Sequence, residues 1–304
     1  MKKAPAALKT KAQSAMEYLR TYGWAILIIA VVLGALFQLG VFNSSSFSPR
    51  VPPGACQVFR PSGPGTVANI NLMGVCTGQL PQYVSQFNGN SYILGGAGAS
   101  ITSIGTMTVL VWINSPLPTQ VYGPQVIENL DGCLTNGYFL AFGTLGGGSS
   151  TLHLISGTGG SSAGQYDFTN VFVPGKWYQV GFVWTSTGAG SSTQQLYING
   201  NIDKQRSIGI GVPAPRTAGL QIGKETNCWN PAFFTGQMAN IQIYNTSLSA
   251  NEVQALYLEG IGGAPMLLQN LAGWWPLNGD AKDYSGNNNN GVPTAVSFTS
   301  QYGK

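Results

Sequence analysis

Acidic residues are the first candidates for chemistry, and the closest pair in the middle of the chain is Glu128 and Asp131. Hydrolysis of a glycosidic bond needs two carboxyl groups that flank the bond at roughly 5–10 Å. No two acids of this sequence are separated by a single residue, so no strand can present two of them side by side on one face. The stretch around Glu128 and Asp131 contains Asn and Gly, which predicts solvated loop acids. The sequence therefore predicts no catalytic carboxylate pair.

His153 is the only histidine of the chain, and it stands between two leucines. This alternation predicts a half-exposed strand position rather than a catalytic base. A chain with one histidine also cannot form a histidine-rich metal site. The glycines at 146–148 are not followed by Lys-Ser or Lys-Thr, so they do not form a phosphate-binding loop. Together these observations indicate a protein that is not an enzyme.

The four cysteines, Cys56, Cys76, Cys133 and Cys228, are widely spaced and contain no C-x-x-C pair. Thiolate metal sites need close pairs of this kind, so two disulfides in an oxidising compartment are the better prediction. Three pairings are open. We favour Cys56–Cys76, which brackets a local loop, together with Cys133–Cys228, because both of these lie in Asn- and Gly-rich stretches.

Ligand and modification sites are suggested by loop residues. Tyr122, Trp229 and Trp274 lie in predicted loops, where exposed aromatic rings can stack on sugars. Asn43-Ser-Ser and Asn245-Thr-Ser fit the N-glycosylation rule. We favour Asn43 as the acceptor, because it lies just beyond the apolar run 24–42, in a neck that is predicted to be flexible.

The N-terminal part of the chain combines a Lys-rich start at 1–12, an amphipathic stretch at 13–23 and an apolar run at 24–42. That run of 19 residues is close to the ~20 that cross a bilayer core. Lys residues before it keep that end cytoplasmic and send the rest of the chain outward.

The junction Lys11-Ala12-Gln13, followed by Ser-Ala-Met-Glu-Tyr-Leu, resembles the class III signal of archaeal type IV pilins. The resemblance implies that a prepilin peptidase removes the leader 1–12 between Ala12 and Gln13. The helix 13–42 then stays on the mature chain, first in the membrane and then in a filament that forms by self-association of these helices. Glu17 would pair with the α-amino group of a neighbour and set the register. The alternative is a plain signal anchor that holds a monomer in the membrane.

Charge argues against nucleic acid as a partner. The formal net charge of +4 includes four lysines of the leader, and without them the chain has ten basic and ten acidic residues. No basic stripe remains to neutralise phosphates. Charged residues make up only 8% of the chain, against roughly 25% in most soluble proteins. This composition is typical of an exposed extracellular surface of hydroxyl and amide groups.

Residues 43–81 contain Ser, Pro and Gly and are predicted to form a neck with a local disulfide loop. After the neck come short apolar runs in which every second residue is apolar, as in β-strands. Residues 178, 180, 182 and 184 share one face, as do 109, 111 and 113. Asn199-Gly200 predicts a type I′ hairpin. A single helix begins at the capping box Ser249-Ala-Asn-Glu252 and ends at Gly260. We therefore expect a mainly β fold, an antiparallel two-sheet sandwich over 82–304, preceded by the long N-terminal helix.

Several segments carry a second resemblance in a fixed order: Phe87-Asn-Gly-Asn-Ser-Tyr-Ile, Met107-Thr-Val-Leu-Val-Trp, Trp177-Tyr-Gln-Val, Leu196-Tyr-Ile-Asn-Gly and Leu248-Ser-Ala-Asn-Glu. They resemble the laminin-G-type jelly rolls of the concanavalin A-like class. That resemblance implies an adhesive domain that binds an extracellular glycan or protein, often with calcium at its rim.

Two departures from that class matter. The run from Trp275 to Gly291 usually opens such a domain and here closes the chain, as in a circular permutation. We expect the segment from Trp275 to Val296 to return to its own domain beside 87–93; insertion into the sandwich of a neighbouring chain is the alternative. Ala239 stands where the class often has an acid that supports calcium, which leaves Asp283 as the candidate ligand. The sequence thus favours a pilin-like surface or filament subunit with an adhesive head. A monomeric, membrane-anchored carbohydrate-binding protein is the alternative.

Overall fold

The structure is a computed structural model that describes residues 22–35, 56–59, 67–70, 80–102, 105–116, 125–131, 137–142, 151–157, 166–188, 190–209, 211–212, 215–225 and 232–300. The chain divides into two compact units, Met1–Val51 and Pro52–Lys304. The boundary between them falls in the predicted neck.

Helix α1 covers residues 22–35 of the N-terminal unit. Its apolar side chains are exposed around the whole circumference, with Trp24 67% and Ile26 66% accessible. Within the described residues, no helix is both long and apolar enough to cross a membrane. Of the predicted helix 13–42, the structure describes residues 22–35, and these residues are helical. The rest of it, with Ala12, Gln13, Glu17 and Asn43, lies outside the described residues.

The second unit is built from strands. In the described part of the chain they are β1 Cys56–Phe59, β2 Val67–Ile70, β3 Val84–Asn88, β4 Tyr92–Leu94, β5 Met107–Asn114, β6 Gln125–Leu130, β7 Gly137–Phe142, β8 Thr151–Gly157, β9 Tyr166–Val171, β10 Trp177–Gly188, β11 Ser191–Ile198, β12 Asn201–Ile208, β13 Gln221–Ile222, β14 Thr235–Tyr244, β15 Leu271–Trp275, β16 Val292–Thr294 and β17 Ser297–Thr299. The helices are α2 Ala99–Thr102 and α3 Ala250–Glu259, and Leu268–Asn270 forms a 3-10 turn.

Two large antiparallel sheets form the sandwich. Sheet I has the order β12-β11-β10-β5-β14-β3-β17, and β15 also pairs with β14; sheet II has the order β16-β4-β13-β6-β7-β8-β9. Strands β1 and β2 form a separate two-stranded sheet. The predicted fold class, a mainly β two-sheet jelly roll, is confirmed.

The core lies between the two sheets, where the predicted alternation places it. Val180 is opposite Val111 and Phe182 is opposite Val109 across the β10–β5 pair, and all four side chains are buried. Burial of each such side chain contributes about 1.5–3 kcal/mol. The alternation therefore sets both the register and the inward face of sheet I.

The β11–β12 turn and helix α3 also follow the sequence signals. Asn199 and Gly200 have φ of 49° and 75°, as a type I′ turn requires. At the start of α3, Ser249 N donates to Glu252 Oε2 over 2.7 Å, and Ser249 Oγ accepts from Glu252 N. Gly260 caps the other end with φ 83°. Helix α3 packs on the outer face of sheet I through its three buried residues, Val253, Leu256 and Tyr257.

The C-terminal segment closes on its own domain. Strand β16 pairs with β4 and β17 pairs with β3, so the tail lies beside the expected strands. The part with Trp275 differs from the expectation, because β15 pairs with β14 and Trp275 is opposite Ile241. Trp275 is fully buried in the core, whereas Trp274 points to the outer face and is half-buried.

Candidate functional site

The candidate site begins at an irregularity in β14. The β14–β5 register shifts between Ala239 and Gln242, and Asn240 has a left-handed backbone with φ 50°. Asn accepts this conformation more readily than most residues, since its short polar side chain can form local hydrogen bonds. A bulge of this kind re-aims a side chain and often marks a functional site. Here it directs Asn240 toward Trp274 on the neighbouring β15.

The side chain of Asn240 connects three segments. Its Oδ1 accepts from Trp274 Nε1 over 2.9 Å and from Gln242 Nε2 over 3.0 Å. Its Nδ2 donates to Gly263 O over 2.8 Å. Tyr244 Oη completes the chain by donating to Gln242 Oε1 over 2.8 Å, and burial raises the pKa of Tyr244. The indole of Trp274 is therefore held by a buried polar network.

Asp283 orders the loop that follows β15. Its Oδ1 accepts from Trp274 N and Ser285 N over 3.0 and 2.9 Å. Its Oδ2 accepts from Asn289 N and Asn289 Nδ2 over 2.9 and 3.2 Å. Four donors occupy the roughly four lone-pair positions of a carboxylate, which are the positions a calcium ion would use. Asp283 thus serves the loop, and calcium binding by the domain stays a prediction.

Asp280 and Tyr284 stand on this loop next to Trp274. Tyr284 Oη donates to Asp280 Oδ2 over 3.0 Å, and this hydrogen bond raises the pKa of Tyr284. Lys282 Nζ is 4.0 Å from the same carboxylate oxygen. The rings of Trp274 and Tyr284 meet edge to face, with centroids 6.2 Å apart and planes at 65°.

These residues surround a cleft of about 350 Å³ on the outer side of sheet I. Its lining consists of Leu80, Pro81, Gln82, Asn240, Ile261, Gly262, Gly263, Trp274, Pro276, Asn278, Asp280 and Tyr284. Small-ligand sites combine apolar and aromatic walls with a few placed polar groups. Two aromatic rings, one carboxylate and three side-chain amides make the cleft suited to a ligand with both apolar faces and hydroxyl groups.

The predicted site residues are distributed unevenly over the structure. Trp274 lies in the cleft, but on strand β15 and not in the loop that the sequence predicted. Asn245 is exposed in the turn after β14. The residues outside the described part of the chain are Cys76, Tyr122, Cys133, Cys228 and Trp229. Cys56 and His153 lie on the described backbones of β1 and β8, and the structure does not describe their side chains. Both disulfide pairings stay predictions.

Glu128 is not the solvated loop acid that the sequence suggested. It lies within β6 and is 1% accessible, because β6 pairs with β7 on one side and β13 on the other. Asp131 is exposed as expected and accepts from Thr217 N over 2.6 Å and from Ala218 N over 3.0 Å. Burial acts to raise the pKa of Asp131, but these hydrogen bonds outweigh it and the pKa is lowered.

The described residues also show whether side chains could bind a metal ion together. The described ranges hold no group of three or more His, Cys, Asp or Glu side chains that could bind a metal ion. The cleft residues that the sequence did not single out include Asn240, Asp280 and Tyr284. The signal for two of them was present in the loop after β15, which carries a tyrosine four residues after an acid.

Comparison with solved structures gives the fold independently. A protein from Bacteroides ovatus, provisionally described as a carbohydrate-binding protein, aligns with a TM-score of 0.57 at 18% identity and covers 77% of this chain. This chain spans 63% of that protein. At this identity the likeness shows the fold alone.

More distant structures follow. A heptameric SAP-like pentraxin from Limulus polyphemus gives a TM-score of 0.48 at 14% identity, covering 72% of this chain and 94% of its own. The CBM40 domain of a Ruminococcus gnavus IT-sialidase gives 0.41 at 10% identity, covering 59% and 98%. Likenesses this weak support no conclusion.

No curated protein matches the sequence. The family comparison is more decisive, because the laminin-G-type profile described as "Concanavalin A-like lectin/glucanases superfamily" matches residues 87–254, more than half of the chain. The matched range runs from β3 into α3 and includes the bulge at Asn240. The chain therefore belongs to the concanavalin A-like lectin/glucanases superfamily.

Proposed function

We propose that the sandwich is a glycan-binding module and that its site is the cleft between Trp274, Asp280 and Tyr284. The observation that carries this proposal is the fixed indole of Trp274, which the Asn240 network holds beside an acceptor carboxylate. Sugars present apolar C–H faces and hydroxyl edges, and the cleft offers a partner for each. The family assignment supports the same function.

A binding role is also favoured over a hydrolytic one. Of the lining residues that the structure describes, Asp280 is the one acid, and hydrolysis of a glycosidic bond needs a pair of carboxyl groups. We therefore propose a module that recognises a glycan and leaves it intact.

Binding by full-length protein in detergent to a panel of immobilised oligosaccharides tests the proposal. Trp274→Ala and Tyr284→Ala should each reduce retention at least ten-fold. Tyr92→Ala is the matched control, since Tyr92 is a half-buried aromatic on β4 of the other sheet. Equal retention by Trp274→Ala and Tyr92→Ala would refute the cleft as the binding site.

A second function, display of this module on a filament, is favoured by helix α1. A helix whose apolar residues are exposed on every side is suited to burial in a membrane or among copies of itself. We propose that prepilin peptidase cleaves between Ala12 and Gln13 and that Glu17 sets the register between neighbouring helices. The sandwich would then lie outside the cell, where many weak sites on one fibre gain avidity.

Electron microscopy of native cell surfaces and of a Glu17→Ala strain tests this second function. Fibres should be present in the native cells and lost in the variant, although the variant is still processed. Protein that is dispersed in the membrane of native cells would instead support the monomeric anchored form.

A further inference from the structure

We infer that the cleft selects uncharged sugars and rejects sugars that carry a carboxylate or sulfate. This inference rests on the proposed glycan-binding function and specifies its ligand class. It follows from the charge of the cleft and from the way its hydrogen-bond donors are already used.

The charge of the cleft is negative. Among the described residues that line it, Asp280 is the one charged side chain, and none of them is Lys or Arg. Lys282 Nζ lies 4.0 Å from Asp280 Oδ2, but its side chain is 69% accessible and stands outside the lining. Exposed pairs of this type interact weakly, so Lys282 only partly offsets the carboxylate. A ligand anion would meet a like charge, which interfaces use to exclude wrong partners.

The strongest donors of the cleft are consumed internally. Trp274 Nε1 donates to Asn240 Oδ1, Tyr284 Oη donates to Asp280 Oδ2, and Asn240 Nδ2 donates to Gly263 O. Asn278 also lines the cleft, and its Oδ1 accepts from Tyr83 N over 2.8 Å, so its amide nitrogen is available as a neutral donor. Gln82 Nε2, which donates to Tyr83 Oη over 3.4 Å, belongs to a second side-chain amide of the lining. Neutral amide donors are a poor match for an anion, which needs several charge-assisted hydrogen bonds.

The cleft can still accept hydrogen bonds from a ligand, through the carboxylate of Asp280. The described donors to the Asp280 carboxylate are Tyr284 Oη at 3.0 Å and the backbone nitrogen of Lys282 at 3.2 Å. A carboxylate has about four lone-pair positions, so about two can accept hydrogen bonds from ligand hydroxyls. The geometry thus fits a donor-rich, neutral sugar. The volume of about 350 Å³ is at the small end of ligand sites, which suits a short oligosaccharide.

Matched oligosaccharide pairs that differ only at C6 test the inference. Cello-oligosaccharides are compared with β-1,4-linked glucuronic acid oligomers, and galacto-oligosaccharides with oligogalacturonides of equal length. Full-length protein in detergent is titrated with each at low and high salt. For at least one pair the neutral member should bind ten-fold or more tightly than the acidic member, and the ratio should shrink as salt screens Asp280.

Two variants test whether Asp280 causes the preference for neutral sugars. Asp280→Asn keeps an oxygen that accepts from Tyr284 and removes the charge, so it should bring the neutral-to-acidic ratio close to one by improving the binding of the acidic member. Asp131→Asn is the matched control, because Asp131 is an exposed acid that does not line the cleft, and its ratio should equal that of the unaltered protein.

The outcomes separate the two proposals. If the acidic member binds as tightly as its neutral counterpart in every pair that the protein retains, or if Asp280→Asn leaves the ratio unchanged, the inference is wrong while glycan binding stands. If no member of either pair, and nothing else on the oligosaccharide panel, is retained, the proposed function fails and the inference fails with it.

Discussion

Asn240 offers a way to disturb the cleft without altering the two aromatic rings or the carboxylate that we propose contact the sugar. Asn240→Gly removes the side chain that accepts from Trp274 Nε1 and Gln242 Nε2 and donates to Gly263 O, and glycine accepts the φ of 50° without strain. We predict that this substitution destabilises the sandwich and weakens glycan binding together, because Trp274 loses the contact that fixes its ring.

The magnitude follows from the three hydrogen bonds. Each contributes about 1 kcal/mol net, so their loss costs about 3 kcal/mol, and relief of the left-handed backbone returns about 1 kcal/mol. The free energy of unfolding should fall by about 2 kcal/mol, equivalent to roughly 4–8 °C in Tm for a domain of this size. Asn240→Ala keeps the backbone strain and should be about 1 kcal/mol less stable than Asn240→Gly.

Denaturant unfolding of the full-length protein, followed by near-ultraviolet circular dichroism, measures these differences. Asn288→Gly is the matched control, since Asn288 also has a left-handed backbone with φ 58° but is exposed. It should change stability by less than 1 kcal/mol. If Asn240→Gly is as stable as Asn288→Gly, or if it binds glycan normally at a temperature where it is fully folded, the Asn240 network does not position Trp274.

Further predictions concern other parts of the chain. The lowered pKa of Asp131 adds stability that is present above the unfolded-state value near 4 and is lost as pH falls through the folded-state value, so Asp131→Asn should flatten the acid side of a pH–stability curve. Removal of 292–304 should lower Tm and cause association detectable by light scattering, because β3 and β4 would become open edges. N-terminal sequencing of the native protein should begin at Gln13, and a start beyond 38 would contradict pilin-type processing. Asn245→Gln should remove one glycan from the native protein by intact mass, since Asn245 is exposed; an unchanged glycan content would show that Asn245 is not an acceptor.

Local patterns in the sequence were sufficient to predict most of the sandwich. The alternation in β5 and β10, the Asn199-Gly200 turn and the Ser249–Glu252 capping box each depend on residues close together in the chain, so each could be predicted from a short window. The prediction from composition that Glu128 is a solvated loop acid was wrong. Its burial depends on the strands that pair with β6 on both sides, and a short window of sequence does not show this pairing.

The candidate site was harder to predict for the same reason. Trp274 was identified as a loop aromatic that could stack on a sugar, but its partner Asn240 is 34 residues away in sequence. Their contact requires the register shift in β14 and the pairing of Gln242 with Trp274 across β14 and β15. Such a bulge has no reliable local signal, so neither the cleft nor the role of Asp280 could be derived without the strand order.

Photoaffinity labelling tests the central claim, that the cleft binds glycan, most directly. A neutral oligosaccharide that carries a diazirine is bound to the full-length protein, irradiated, and the labelled peptides are identified by mass spectrometry. We predict that the label lies within 271–284 and is suppressed by excess unlabelled oligosaccharide and by Trp274→Ala. Competable label confined to the stretches around Tyr122 or Trp229, with none within 271–284, would contradict the account.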